Sequence, residues 1–324
     1  MIEVCKKNCP KCRSKQIKSN GKNTQWKEKF KCKKCLFCFV KKNRKNTPIR
    51  TKKVFDDWLV EGYSCRQIWK QKSKRQKAVL LNIRRSLDSN EISQIDVVFE
   101  DIHHVMIDGI RISKDICLII YYEYIQKKVI RFWFYNVERY EYILKDLKVL
   151  RESFKYSIWS FTVDGSKQIK KAIQEVYPKA RLQRCLTHIQ RQTQNYISKN
   201  PQSICWKELQ KIVIFENFEN KQKFEKLFRV WEDKHMEYLE ERSIRTKKST
   251  FKHRRLRQAR SHIKHALQYM FHFLDDCIIK RSSNDLEGYN WVLSDHIYHH
   301  RWLKKERLLS FISLWIYNRN LSQK

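Results

Sequence analysis

Only five of the 324 residues are glycine and four are proline, against about 23 and 16 at average usage. So few breakers exclude an all-β protein of tight turns and a Pro/Gly-rich disordered chain, and favour helices with a few long strands. Lysine and arginine number 70 against 34 acids, a net charge of +36, which calls for a polyanionic partner, nucleic acid ahead of a membrane surface.

The charge is clustered, whereas codon bias alone would spread it. Residues 1–90 carry 27 Lys+Arg against 6 acids, and residues 242–265 carry 10 against none. Two separate basic surfaces are expected. No apolar stretch follows Met1 and none reaches about 18 residues, so neither a secretory leader nor a membrane span is expected. The eleven cysteines are then expected in a reducing compartment, where paired cysteines mean metal or catalysis rather than disulfides.

The first element in chain order is a zinc ribbon over 1–45. Cys9-Pro10-Lys11-Cys12 and Cys32-Lys33-Lys34-Cys35 are two C-x2-C knuckles, each able to supply two of the four thiolates a zinc ion takes. Between them, 16–19 and 25–30 suit a hairpin with Gly21 in its loop. So short and charged a segment lacks the apolar burial to fold without metal. Cys5 and Cys38 are spare thiols.

Residues 50–90 read as a helix-turn-helix. Val54, Phe55, Trp58 and Leu59 recur at helical spacing, Gly62 suits a C′ position and Ser64 the next N-cap. A short helix follows, and Ser73 would cap a third that carries Lys74, Arg75, Lys77 and Arg84. Those cations suit a recognition helix in a major groove; the alternative is an ordinary helical linker.

From residue 100 the composition turns apolar. Val105-Met106-Ile107-Asp108 reads as a strand ending in an acid. Runs at 116–124 and 129–135 read as strands, 140–150 as a helix, 157–163 as a strand ending in Asp164-Gly165, 167–177 as a helix and 180–184 as a strand. The order β-β-β-α-β-α-β is that of a ribonuclease-H-like core over 100–190, in a chain of mixed α+β and α/β class. If the strands bearing Asp108 and Asp164 are neighbours, their carboxylates converge, and Mg2+ or Mn2+ would relieve the repulsion. A third acid is offered by Ser283-Asn284-Asp285-Leu286-Glu287-Gly288 in 281–324, where Asn284, Glu287 and Asn290 or Trp291 share a helix face.

Taken in order, Asp108-Gly109, Asp164-Gly165, Arg184-Cys185-Leu186-Thr187-His188 and Ser283-Asn284-x-x-Glu287-Gly288 resemble the Mutator-like branch of DDE transposases. The ribbon is similar to that of the zinc-binding bacterial insertion sequences of that branch. The resemblance implies a catalytic triad of Asp108, Asp164 and Glu287 holding two Mg2+ (or Mn2+) ions, structural Zn2+ on Cys9, Cys12, Cys32 and Cys35, and a C-x2-H element at Cys185 and His188. It also implies an all-α insertion over 191–280. Double-stranded DNA would be the partner, as terminal inverted repeats and as target, bound by a homodimer or higher oligomer in a bacterial cytoplasm, at the nucleoid, with no membrane. Arg254, Arg255, Arg257 and Arg260 of the basic run are expected on DNA phosphates.

Three readings of Cys185 and His188 stand: half a zinc site, support of the active site together with Asn284, or packing at a strand end. The stripe through Phe215, Phe218, Phe224, Leu227, Phe228 and Trp231 is either packed core or, at Trp231, a platform for an unpaired base. The rivals to a transposase are a DNA-binding regulator without catalysis and another ribonuclease-H-like nuclease.

Overall fold

The strand-forming runs end up in three separate sheets among the described residues. The computed structural model describes residues 8–22, 28–40, 55–72, 76–89, 102–154, 158–197, 200–245 and 248–322. The chain divides into two units, Met1–Phe55 and Asp56–Lys324.

In the first unit β1 (Ile17–Lys22), β2 (Glu28–Cys32) and β3 (Cys38–Val40) form an antiparallel sheet in that order. The hairpin is the expected one with a third strand added. Gly21 lies within β1 rather than in the loop, at φ +72° where the β1–β2 register shifts; such a kink needs the left-handed conformation glycine adopts without strain. Cys5 lies outside the described residues.

The second unit begins within a helical stretch at 55–59 (α1), followed by α2 (Cys65–Lys72) and α3 (Gln76–Ser89). Gly62, at φ +68°, ends the first stretch. Ser64 and Gln67 form a reciprocal capping box: the Ser64 hydroxyl accepts the Gln67 N–H at 3.2 Å and the Gln67 side chain accepts the Ser64 N–H at 2.8 Å. Ser73, Lys74 and Arg75 lie outside the described residues. These helices are built into the unit. Trp58 is fully buried, with ring centroids 4.6 Å from His300 and 5.1 Å from Phe311. Arg307 forks onto Asp88 at 2.8 and 2.9 Å.

The large sheet contains β4 (His104–Ser113), β5 (Ile116–Glu123), β6 (Lys128–Tyr135), β7 (Ser160–Val163) and β8 (Arg181–Arg184), in the order β6-β5-β4-β7-β8. β6, β5 and β4 are antiparallel, while β4, β7 and β8 are parallel. The layout follows the expected order of elements. Helices α4 (Tyr140–Ser153) and α5 (Lys167–Val176) cover one face, where Ile143, Leu147, Ile169 and Ile173 pack on Ile119 and Tyr121.

Between the sheet and the C-terminal helices stand α6 (Leu186–Ile197), α7 (Ile204–Ile212), α8 (Phe215–Phe218), α9 (Lys221–Glu240), α10 (Arg254–Ala266) and the short α11 (His272–Asp275). Phe218, Phe224, Phe228 and Trp231 form the heart of their own apolar cluster. The insertion is not all-α. A hairpin of β9 (Arg242–Arg245) and β10 (Lys248–Phe251) joins α9 to α10. The run lacks the 3–4 apolar spacing that would continue a helix, and Phe251 is gripped by the guanidinium groups of Arg242 and Arg257 at 4.3 and 3.6 Å.

Helices α12 (Asn284–His299) and α13 (Lys305–Ser322) cover the other sheet face. Tyr289 meets Tyr122 at 5.7 Å, and the Asn320 amide bonds both the N–H and the C=O of Val129 at 3.0 and 2.8 Å. Covered on both faces, β5 is buried along its whole length.

Candidate active site

β4 and β7 pair in parallel as far as Ile107 and Val163. The next residue on each strand is Asp108 and Asp164. β7 and β8 pair as far as Val163 and Arg184, and Cys185 follows. Three reactive side chains thus start from one level at the ends of adjacent parallel strands, where open α/β sheets hold ligands. Asp108 does not end its strand as expected: β4 runs on to Ser113 because β5 keeps pairing with Ile110, Arg111 and Ser113. Only on the β7 side does pairing stop, and that is the side the carboxylate shares with Asp164. Burial, then the charge of Asp164, push the Asp108 carboxyl up to about 6. The N–H of Gly109 at 2.9 Å and the Asn290 amide at 2.7 Å pull the other way.

Glu287 comes from α12, one turn before Asn290. The start of that helix is fastened to the β8–α6 junction by successive contacts. The Cys185 sulfur accepts the Ser283 N–H at 3.3 Å, Leu186 donates its N–H to the Arg281 carbonyl at 2.9 Å, and the Thr187 hydroxyl bonds the Asn284 side chain at 3.0 Å. His188 Nδ1 lies 3.5 Å from Glu287 Oε1, an ionic contact longer than a hydrogen bond, and Arg191 reaches Glu287 Oε2 at 3.2 Å. Cys185, His188 and Glu287 offer donor atoms all within 4.8 Å of one another. The hydrogen bond with Cys185 raises the His188 imidazole, with the Glu287 charge adding to it. Against burial, contacts with His188 and Ser283 lower the Cys185 thiol. Cys185 is fully buried at the end of β8, and the segment it begins is bonded to the start of the helix that carries Glu287.

Two further residues stand at this place, Glu138 in no motif and Arg184 at the head of the segment that runs to His188. Glu138, in the loop before α4, accepts from the Ser166 hydroxyl at 3.0 Å, and burial with the Asp164 charge raises its carboxyl. Its Oε2 lies 2.9 Å from where a β-carbon on Gly109 would stand, so a larger residue at 109 would push the Glu138 carboxyl aside. Arg184 is 8% exposed, and its guanidinium occupies the space of a β-carbon on Gly165, whose φ is +101°. No local sequence signal reports either contact.

In the first unit the Cys9 and Cys35 sulfurs lie 3.5 Å apart and those of Cys12 and Cys32 3.6 Å, with all four within 4.8 Å. A tetrahedron with ~2.3 Å zinc–sulfur bonds has edges of about 3.8 Å, so the donor set fits zinc. Each knuckle turns the same way: Arg13 and Leu36 both sit at φ 57° and bond back to the carbonyls of Cys9 and Cys32. The N–H of Cys35 helps draw the Cys32 thiol down to about 6. Cys38 is exposed and stands outside this group.

The expected DNA-contacting cations divide. Arg84, Arg254 and Arg255 are exposed, and Lys77 lies in the first turn of α3. Arg257 instead bonds the Leu239 carbonyl at 3.1 Å, and Arg260 pairs with Glu232. Both fasten α10 to α9. Trp231 is 2% exposed and donates its indole N–H to the Cys205 carbonyl at 2.9 Å, so it is packed core. No helix among the described residues is long and apolar enough to cross a membrane.

Acids at parallel strand ends, with two basic regions in the chain, are the equipment of a protein that acts on nucleic acid. A family profile described as "Transposase, Mutator family" matches residues 51–266, two thirds of the chain, and the chain belongs to that family. The matched span includes Asp108, Asp164, Cys185 and His188, while the ribbon cysteines and Glu287 fall outside it. No curated protein matches the chain.

Proposed function

We propose that the chain is a DDE-type DNA transposase with a ribonuclease-H-like core, in which Asp108, Asp164 and Glu287 hold two Mg2+ (or Mn2+) ions. The observation that carries the reading is the register of β4 and β7, which starts Asp108 and Asp164 side by side, with Asn290 tying the Glu287 helix to Asp108. The donor set fits hard divalent cations: carboxylate oxygens, two of them crowded enough that one disfavours ionisation of the other. When bound, such ions supply charge at the attacking and leaving oxygens of a phosphodiester displacement.

The protein groups prepare that displacement. Asn290 and the Gly109 N–H orient Asp108, and His188 with Arg191 orients Glu287. Glu138 places a further carboxyl beside Asp164. Hydrolysis at a transposon end frees a 3′-hydroxyl, which then attacks target DNA in line. No protein nucleophile is needed. The ribbon, holding Zn2+ on Cys9, Cys12, Cys32 and Cys35, and helices α1 to α3 with Lys77 and Arg84, joined by Lys74 and Arg75 of the sequence before α3, would read the terminal repeats. Pairing two ends calls for a dimer or larger assembly on DNA.

The test is nicking of a duplex that carries the DNA flanking this reading frame, with Mg2+ added. Wild type should cut at the element's end and join the cut end to plasmid DNA, and Asp164→Asn should do neither. Binding without nicking by wild type would make the protein a regulator, and nicking without joining a nuclease.

A further inference from the structure

Gly165, next to Asp164 in the chain, lines a cavity of about 550 Å³ between α5, α6 and α10. Lys167, Lys170, Lys171, Arg184, His262 and His265 line it, with no acid among its lining residues. Arg184 is more than nine-tenths buried, yet its Nε and Nη2 have no hydrogen-bond partner, and neither has Nε2 of His262. Buried guanidinium nitrogens without acceptors are costly, because the water they lost has not been replaced. The Asp164 charge offsets part of that cost from outside the cavity. Burial, with the Arg184 charge adding to it, holds His262 down at about 4, so at neutral pH it is an uncharged imidazole able to donate from Nε2.

The remaining walls suit the same ligand. Lys170 stands 3.9 Å over the Tyr269 ring and Lys171 4.5 Å over the Tyr140 ring, with no carboxylate paired to either among the described ion pairs. Tyr196 and Tyr269 add ring surface to the lining. An acceptor-rich anion meets fork-shaped donors from Arg184, a donor from His262 and point charges from the lysines, the combination that recognises phosphate. The volume lies in the range of pockets that hold molecules larger than a bare phosphate.

We propose that this cavity is a binding pocket for a DNA backbone phosphate and its nucleoside, next to the phosphate that is cut, with Arg184 as the central ligand. The proposal rests on the transposase reading in taking DNA as the source of the phosphate. It explains why Gly165 has no side chain: any β-carbon there would displace the guanidinium that both the acid and the pocket use.

The test reads binding and not cleavage, so the two readings can fail separately. Fluorescence anisotropy follows a 30-base-pair duplex from the DNA flanking the reading frame, across a salt series without added divalent ion. A second set of duplexes carries a neutral methylphosphonate at one position at a time. Arg184→Gln should lower the slope of log K against log salt by about one, and Lys170→Ala/Lys171→Ala by one to two. One methylphosphonate position should weaken wild type and leave Arg184→Gln unaffected. If Arg184→Gln melts lower but keeps the wild-type methylphosphonate pattern, the arginine only balances Asp164 and the proposal fails. If that variant does not fold, the lysine pair decides, and an unchanged slope overturns the pocket. Competition by free deoxynucleoside monophosphate at micromolar concentration would assign the cavity to a small ligand instead, which also overturns it. A wild type that binds with the predicted pattern but never nicks keeps the pocket and removes the catalytic reading.

Discussion

Among the described residues of the ribbon, Cys9, Phe30 and Cys32 are the buried hydrophobic ones, whereas the five-stranded sheet sits in a cluster that includes Ile107, Tyr121, Leu147, Phe161 and Ile173. Both regions bring together side chains proposed to hold metal, by opposite means. In the ribbon the cysteines of the cluster are themselves most of the core, so a metal bound there would have to supply the folding energy. In the sheet, apolar burial and strand pairing set Asp108 next to Asp164 with no ion needed. Burial, with the Asp164 charge adding to it, leaves the Asp108 carboxyl raised. A site that must shape itself around its metal is structural, and one that is held open by its scaffold is free to bind and release.

The sharpest way to break this contrast is to remove zinc. A chelator, or Cys32→Ser, should unfold residues 1–45 outright, since structural zinc contributes on the order of 10 kcal/mol, while the fragment from 56 onward keeps its melting transition. Limited proteolysis with a zinc-release assay reads both. Equal loss in the two units would show that the sheet leans on the ribbon.

Next in size is the burial side. Trp231→Ala should lower stability by about 3–5 kcal/mol in a denaturant melt, the range for large aromatic truncations in a core, with binding to single-stranded DNA unchanged in the folded fraction. A loss of single-strand binding with unaltered stability would return the residue to the DNA surface.

Smaller again is a pH effect. Burial holds His300, between Trp58 and Phe311, down at about 4. Below its ordinary value of 6.5 the unfolded chain takes up a proton that the folded chain refuses, so this contribution is full above that pH and is lost as pH falls toward 4. Wild type should lose about 2 kcal/mol more than His300→Phe between pH 7 and pH 5, as urea melts at the two values would show. Parallel pH curves for the two proteins would mean that the ring is hydrated in solution.

The smallest effect separates two kinds of arginine. Arg254→Ala and Arg255→Ala should each lower the salt slope of DNA binding by about one with no change in melting, since both are exposed. Arg260→Ala should do the reverse, because its guanidinium is committed to Glu232. A reversal of that order would place the phosphate track on the other face of α10.

Much of this was legible from local pattern. The two knuckles, the capping serine at 64, the order of the strands and the acids at 108 and 164 all depend on neighbours a few residues apart, where spacing alone dictates geometry. The hairpin at 242–251 was harder, because a basic Ser/Thr-rich run has no strong period and its shape is settled by the ring of Phe251 between two arginines. The same limit applies to the four arginines of α10. Sequence placed them in one basic run, but which of them face solvent depends on where α9 lies.

The sequence by itself determined that this chain is strongly basic, with a four-cysteine cluster near its start and acids carried on the strands of a mixed sheet, because composition and short-range periodicity act through the chain's own neighbours. Only the tertiary structure decided that Glu138 stands beside Gly109, that Cys185 and His188 serve the helix of Glu287, and that Arg184 is left with bare nitrogens at the wall of a cavity. Each of those facts joins residues tens of positions apart or more. What they share is burial, and burial belongs to the packed molecule and not to any stretch of its sequence.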